Sequence, residues 1–343
     1  MAYTTIDKPT DYFNTVLYTG NSSTQSITGV GFQPDWVWCK GRSGAHAPHI
    51  YDSVRGEGLR LRSDSNDAEA DYTATNIGLN SFDSDGFSIG NSGTLNNSGD
   101  TYVGWSWLGG GTASSNTDGS VTSNVSANTT SGFSICTFTA TGSSMTFGHG
   151  LGVAPNLVIW KRRDSSTNGD WATSSDPQGW TNYMTLNNTT ANQSGSTRFG
   201  SAPTSSVVTV GSETVSGGTY VAYCFASIKG YSKIGSYTGN GNADGPFVYT
   251  GFKPAWLMIK TTDTANDWRM FDVKRQTFNP HGKYLEANTI DAESDSAHLD
   301  IVSNGFKIRA DFGAINISGD NHIYMAFAEN PFVTNTGIPT TAR

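Results

Sequence analysis

The sequence predicts an all-β protein made of three tandem β-sandwich, jelly-roll-like repeat units of about 100 residues each. Composition is the first of two observations behind this. The 343 residues include 40 Gly and only six Glu, with 15% charged and 12% aromatic residues. Helices favour Ala, Leu, Glu, Lys and Arg, whose straight side chains lose little freedom there, so this chain is poor helix material. The second observation is a word written three times: FQPDWVWCK at 32–40, VAPNLVIWK at 153–161 and FKPAWLMIK at 252–260. Each has a proline (Pro34, Pro155, Pro254), one residue, an apolar run and a closing lysine.

Around each word the same features recur in the same order. A β-rich run and a glycine turn precede it, at Gly20, Gly142 and Gly239. DGFSIG (85–90), SVVTVG (206–211) and NGFKIR (304–309) follow, and then the closing runs YVGWSW, YVAYCF and YMAFAE. The closing tyrosines Tyr102, Tyr220 and Tyr324 align on this reading. The expected organisation is repeat 1 at 1–108, a Gly/Ser/Thr/Asn-rich linker at 109–131, repeat 2 at 132–230, repeat 3 at 231–332 and a tail at 333–343. Linkers of that composition are flexible unless they pair, and the alternating GSVTSNVSA stretch could form a short strand. Asp85-Gly86 and Asn304-Gly305 read as type I′ hairpin turns, in which both central residues need positive φ. The unbroken apolar run after each proline suits a strand covered on both faces. Trp36, Trp105, Trp107 and Trp256 are then core residues rather than a sugar-binding platform.

Charge and cysteine usage narrow the function classes. A net charge of −8 argues against nucleic acid. No apolar run reaches membrane-spanning length, and the polar N-terminus carries no secretory signal pattern. Cys39, Cys136 and Cys224 lie far apart in apolar runs, as buried thiols do.

Catalytic motifs are sparse. DAEAD (67–71) and DAESD (291–295) alternate carboxylates and could place three on one strand face, as a glycosidase acid pair would require. Repulsion among them favours a solvated loop, and repeat 2 has ANQSG there instead. The six histidines do not recur at matched positions, and no phosphate loop, nucleophile elbow or zinc motif is present. The expectation is therefore no enzyme, no catalytic residue, no cofactor and no metal site. Lys40, Lys161 and Lys260 end the apolar strands, and Asp52 and Asp272 recur between repeats 1 and 3, a pattern of structural ion pairs. The loops after the lysines differ most, and unlike loops on a rigid scaffold are where binding resides. Asp170, Trp171, Trp180 and Tyr183 in repeat 2, with Asp267 and Trp268 in repeat 3, are the candidate glycan- or receptor-binding residues.

MAYTTIDKPTDYFNTVLYTGN, ITGVGFQPDWVWCK, FDSDGFSIG, GYSKIGSYTGNGNADGPFVYTGFKPAWLMIK, SNGFKI and YMAFAENP resemble a tandem-repeat virion protein family of marine tailed bacteriophages. The resemblance covers nearly the whole chain and departs in repeat 2. It implies a virion protein assembled in the host cytoplasm, with other phage virion proteins as partners. The implied role is a tail-fibre or host-recognition component contacting host surface glycan or receptor. A capsid decoration protein, as knob or head fibre, is the alternative, and a glycan depolymerase or lectin-like glucanase a remote one. The family assigns no catalytic or ligand residues that could be carried over. Attachment to symmetric vertices or rings implies a homo-oligomer, by default a trimer, although three units in one chain could supply a threefold shape as a monomer.

Overall fold

The computed structural model describes residues 3–311 and 313–340, all but the side chain of Ala297 among them. The chain is all-β: 44% of residues are in strands and 2% in helix. In the first segment a six-stranded antiparallel sheet runs in the order Phe13–Thr19, Thr101–Trp107, Trp36–Gly41, His49–Asp52, Leu59–Arg62, Ala70–Asp71. The last strand of the segment is thus inserted between the first and the post-proline strand. The same order appears in the second sheet, where Thr219–Phe225 lies between Phe133–Thr139 and Leu157–Arg162. It appears again in the third, where Asn321–Pro331 lies between Ser232–Thr238 and Phe252–Thr261.

A smaller layer backs each large sheet. Gln25–Thr28, Gly86–Ile89 and Leu79–Asp83 form it in the first segment, and Met145–Gly148 with Val207–Val210 in the second. In the third, the long strand Ser294–Val302 bends out of the large sheet and carries Gly305–Ile308 and Phe247–Tyr249 with it. Each pair of layers encloses its own core, such as Val37, Cys39, Phe87 and Ile89 in the first. All three cysteines are buried free thiols.

Three expectations change in detail. Residues 109–131 do not hang free: Ser123–Asn128 pairs along its length with Phe133–Thr139, and Ser114–Asn116 adds a further strand outside it. The polar linker is thereby the edge of the second sheet. Strand register aligns His322, not Tyr324, with Tyr102 and Tyr220. His322 faces Tyr237 as Tyr102 faces Tyr18 and Tyr220 faces Phe138, and each of these pairs stacks its rings. The hairpins at 85–86 and 304–305 exist, but their loops are Ser84–Asp85 and Ser303–Asn304, none of which has positive φ. Each glycine instead opens the following strand. A Cβ there would lie 2.0 Å from Ile27 O at Gly86, and equally close to Val248 O at Gly305. Close approach of a neighbouring strand excludes a side chain at both, and at Gly86 the positive φ of +146° disfavours one as well. Of the expected tail, 341–343 lies outside the described residues; Val333 bridges Pro339, and Asp7 accepts from the Asn335 amide.

The post-proline strands show how the segments come together. Successive strand residues point to opposite faces. Val37 and Cys39, Val158 and Trp160, and Leu257 and Ile259 enter the local cores. Trp36 and Trp38, Leu157 and Ile159, and Trp256 and Met258 turn the other way and enter one shared cluster with residues from all three sheets. Trp36 packs on Tyr223 at 4.8 Å and Phe133 at 5.6 Å, Phe13 on Phe327 at 5.3 Å, and Phe225 on Phe327 at 6.1 Å. The expected two-sided burial is present, and Trp36, Trp105, Trp107 and Trp256 are fully buried. Three sheets therefore close around one aromatic centre, each bordering the other two.

Candidate functional site

Where neighbouring sheets meet, polar residues from corresponding strands form three seams. Between the first and second segments, the strand His49–Asp52 ends on Asp52, and the turn after it returns Arg55 onto that carboxylate. The Arg55 guanidinium, wholly buried, also reaches Glu69 at 2.7 Å. Arg163 of the second segment grips Glu69 with two hydrogen bonds of 3.0 and 2.7 Å, and the Glu69 amide donates to the Arg163 carbonyl at 2.7 Å. Burial keeps the Tyr223 phenol protonated, its pKa pushed well above the usual value, and it donates to Asp52 at 2.7 Å.

Between the third and first segments the arrangement repeats. Asp272 pairs with buried Arg275, which donates to Glu293 at 3.1 Å. Arg42 of the first segment grips Glu293 at 3.0 and 3.1 Å, and the Glu293 amide donates to the Arg42 carbonyl at 2.8 Å. Trp105 takes the place of Tyr223, its indole N–H donating to Asp272 at 3.1 Å. Burial pushes both glutamates up, but the arginine hydrogen bonds and charges outweigh it and hold each below the usual range.

The seam between the second and third segments keeps the shape and loses the charge. Ser175, Gln178 and Asn192 stand in the places of Asp, Arg and Glu, and Thr262 and Met325 in those of the gripping arginine and the phenol. One amide–amide bond of 2.6 Å joins Gln178 and Asn192, and the Asn192 amide donates to the Thr262 carbonyl at 2.7 Å. The backbone link across the seam is the same in all three cases.

The expectations for these residues are corrected accordingly. DAEAD and DAESD are not loops of free carboxylates: Glu69 and Glu293 are nearly covered and ion-paired, while Asp67, Asp71, Asp291 and Asp295 remain exposed. Asp52 and Asp272 pair with arginines, not with the strand-end lysines. Lys40, Lys161 and Lys260 are fully buried and donate to carbonyls of Thr289, Gly169 and Thr261. Burial pulls each ammonium down to about 8.

The six candidate binding residues do not form a surface platform. Trp171 and Trp268 are buried, and their indole N–H groups donate to Arg62 O at 2.7 Å and Thr185 O at 3.0 Å in the preceding segment. Trp180 is buried and donates to Asp176. Asp170 accepts from Asn187, and Asp267 from Asn288, which tie these loops together. Tyr183 is half-buried under the Arg198 guanidinium, 5.0 Å above its ring. Reading the aromatic loops as sugar contacts missed that the neighbouring sheet covers Trp171 and Trp268, and that Trp180 and Tyr183 pack within their own segment. The seam arginines were missed as well, although the signal was present: Arg follows Asp by three residues in YDSVR and FDVKR, and follows Lys by two in KGR and KRR.

Fold and seams together define an all-β protein whose sheets close on a common core through interlocking loops. The chain belongs to the family described as Domain of unknown function (DUF7483), which it matches over residues 8–331. That match runs through all three sheets as one domain. No curated protein and no solved structure matches the chain.

Proposed function

We propose that the chain is three copies of one β-sandwich unit closed into a three-sided body, and that it serves as a non-enzymatic structural protein on the exterior of a phage particle, as a tail-fibre or host-recognition component. The closed body carries this reading. The shared aromatic cluster and the seam ion pairs join the units, and unlike loops are left on the outside of a rigid scaffold. The carboxylates that looked most catalytic, Glu69 and Glu293, are each held by two arginines, which suits a structural role. Its partners on this reading are other virion proteins and a host surface glycan or receptor.

A second reading, a capsid decoration protein, is favoured by the same geometry in one respect. A single chain already presents three similar sides around one axis, so one copy suits a threefold position on a head. Immunogold labelling of intact particles with antibody against this chain tests both. Label on the tail supports the first reading, label confined to the head replaces it with the second, and unlabelled particles refute both. Light scattering of the purified protein distinguishes a monomer from the trimer implied by the virion resemblance.

A further inference from the structure

The seams between the first and second and between the third and first segments are each filled by an arginine from the adjoining segment; between the second and third segments, Thr262 is too short to do so. A pocket of about 300 Å³ opens there, lined by Gln178, Asn192, Thr262, Asp263 and Asn321, with Pro177 and Ile323 adding apolar surface. Both members of the ion pair are replaced together, Glu by Asn and Arg by Thr, so the site needs no guest ion. The Asp263 carboxylate is already engaged, by the Asn321 amide at 2.8 Å and the Thr262 hydroxyl at 2.8 Å. Lys260 is turned away onto the Thr261 carbonyl at 2.8 Å. The amide bond between Gln178 and Asn192 leaves the other polar atom of the Asn192 amide without a partner among the described residues.

Direct chain continuity joins the second and third segments through 226–231. It does not explain an open polar pocket, since a pair of apolar side chains would have filled the space at no electrostatic cost. Amides and hydroxyls offer donors and acceptors side by side, which matches sugar hydroxyls, each of them both donor and acceptor. The volume is at the small end of ligand pockets and suits a single ring. We propose that this pocket binds one residue of a neutral saccharide. The inference deepens the host-recognition reading and names its ligand class.

The test uses the full chain, isotope-labelled for NMR, titrated separately with glucose, galactose, mannose and N-acetylglucosamine. The expected result is a saturable shift of the Asn192, Thr262 and Asn321 amide signals with at least one of the four. The double variant Asn192→Glu/Thr262→Arg rebuilds the ion pair of the other seams and fills the pocket. It should weaken binding by roughly tenfold or more while melting no lower than the parent. Asn192→Ala, which leaves the pocket open, should weaken binding too. No saturable shift with any of the four sugars, or unchanged affinity in the folded double variant, overturns the proposal. Particle labelling is read independently, so a labelled particle whose protein binds no sugar overturns this inference alone.

Discussion

Glu69→Gln is the sharpest probe of the seams. The substitution keeps the side-chain shape and removes one negative charge from between two guanidiniums. Arg55 is wholly buried and loses a partner at 2.7 Å; Arg163 loses one half of a two-pronged grip. Removing one member of a buried ion pair costs about 3–5 kcal/mol, because the other charge is left in a poor solvent. Asp52 still neutralises Arg55 and Arg163 is one-fifth exposed, so the expected loss falls below that range, at about 2–3 kcal/mol. Chemical denaturation measures it, with Asp67→Asn as the control from the same loop. Asp67 is 64% exposed and its nearest cation is 3.9 Å away, so that change should stay within about 0.5 kcal/mol. A Glu69→Gln loss as small as the control would show that the seam is an ordinary surface pair and that the shared core alone holds the segments.

Acid should open the same seams. Glu69 and Glu293 have folded pKa values below their unfolded ones, so their stabilisation is complete above about pH 4.5 and is lost as pH falls through the depressed values. The Glu69→Gln/Glu293→Gln double variant should show a shallower acid transition, and an identical one would refute the linkage. On the alkaline side, Lys40, Lys161 and Lys260 bind fewer protons folded than unfolded between about pH 8 and 10.5, so stability should rise with pH across the lower part of that window. Denaturation midpoints that fall between pH 8 and 9.5 would contradict the burial of these ammonium groups. Trp36→Ala removes a ring packed on both its own and the second segment, and should cost about 3–5 kcal/mol and bring the melting of all segments down together. Separate melting of one segment would refute the common core.

How much was legible can be judged from particular residues. WVWC, LVIW and WLMI announced strands buried on both faces, because no residue in them tolerates water. The repeated lysines were legible as strand ends, but their partners were not. Lys40 reaches Thr289, far away in the chain, and no local pattern records a contact of that kind. Trp171 and Trp268 looked available because their loops are polar, yet the backbone carbonyls that receive their indoles belong to the preceding sheet. The glycines at 86 and 305 were read through turn chemistry alone; Gly86 does have a positive φ, but at both positions a strand arriving from elsewhere leaves no room for a side chain.

Composition and periodicity by themselves determined the all-β class, the post-proline strands and the buried aromatic character, since these follow from side-chain shape and hydrophobicity along a single strand. Tertiary structure alone decided what the second faces of those strands meet, which carboxylates are held by arginine, and where a pocket remains. The reason is physical. Strand formation responds to neighbours two residues away, whereas a seam is created by sheets that meet only after closure, and its charges acquire their energies from burial that exists in the closed body alone.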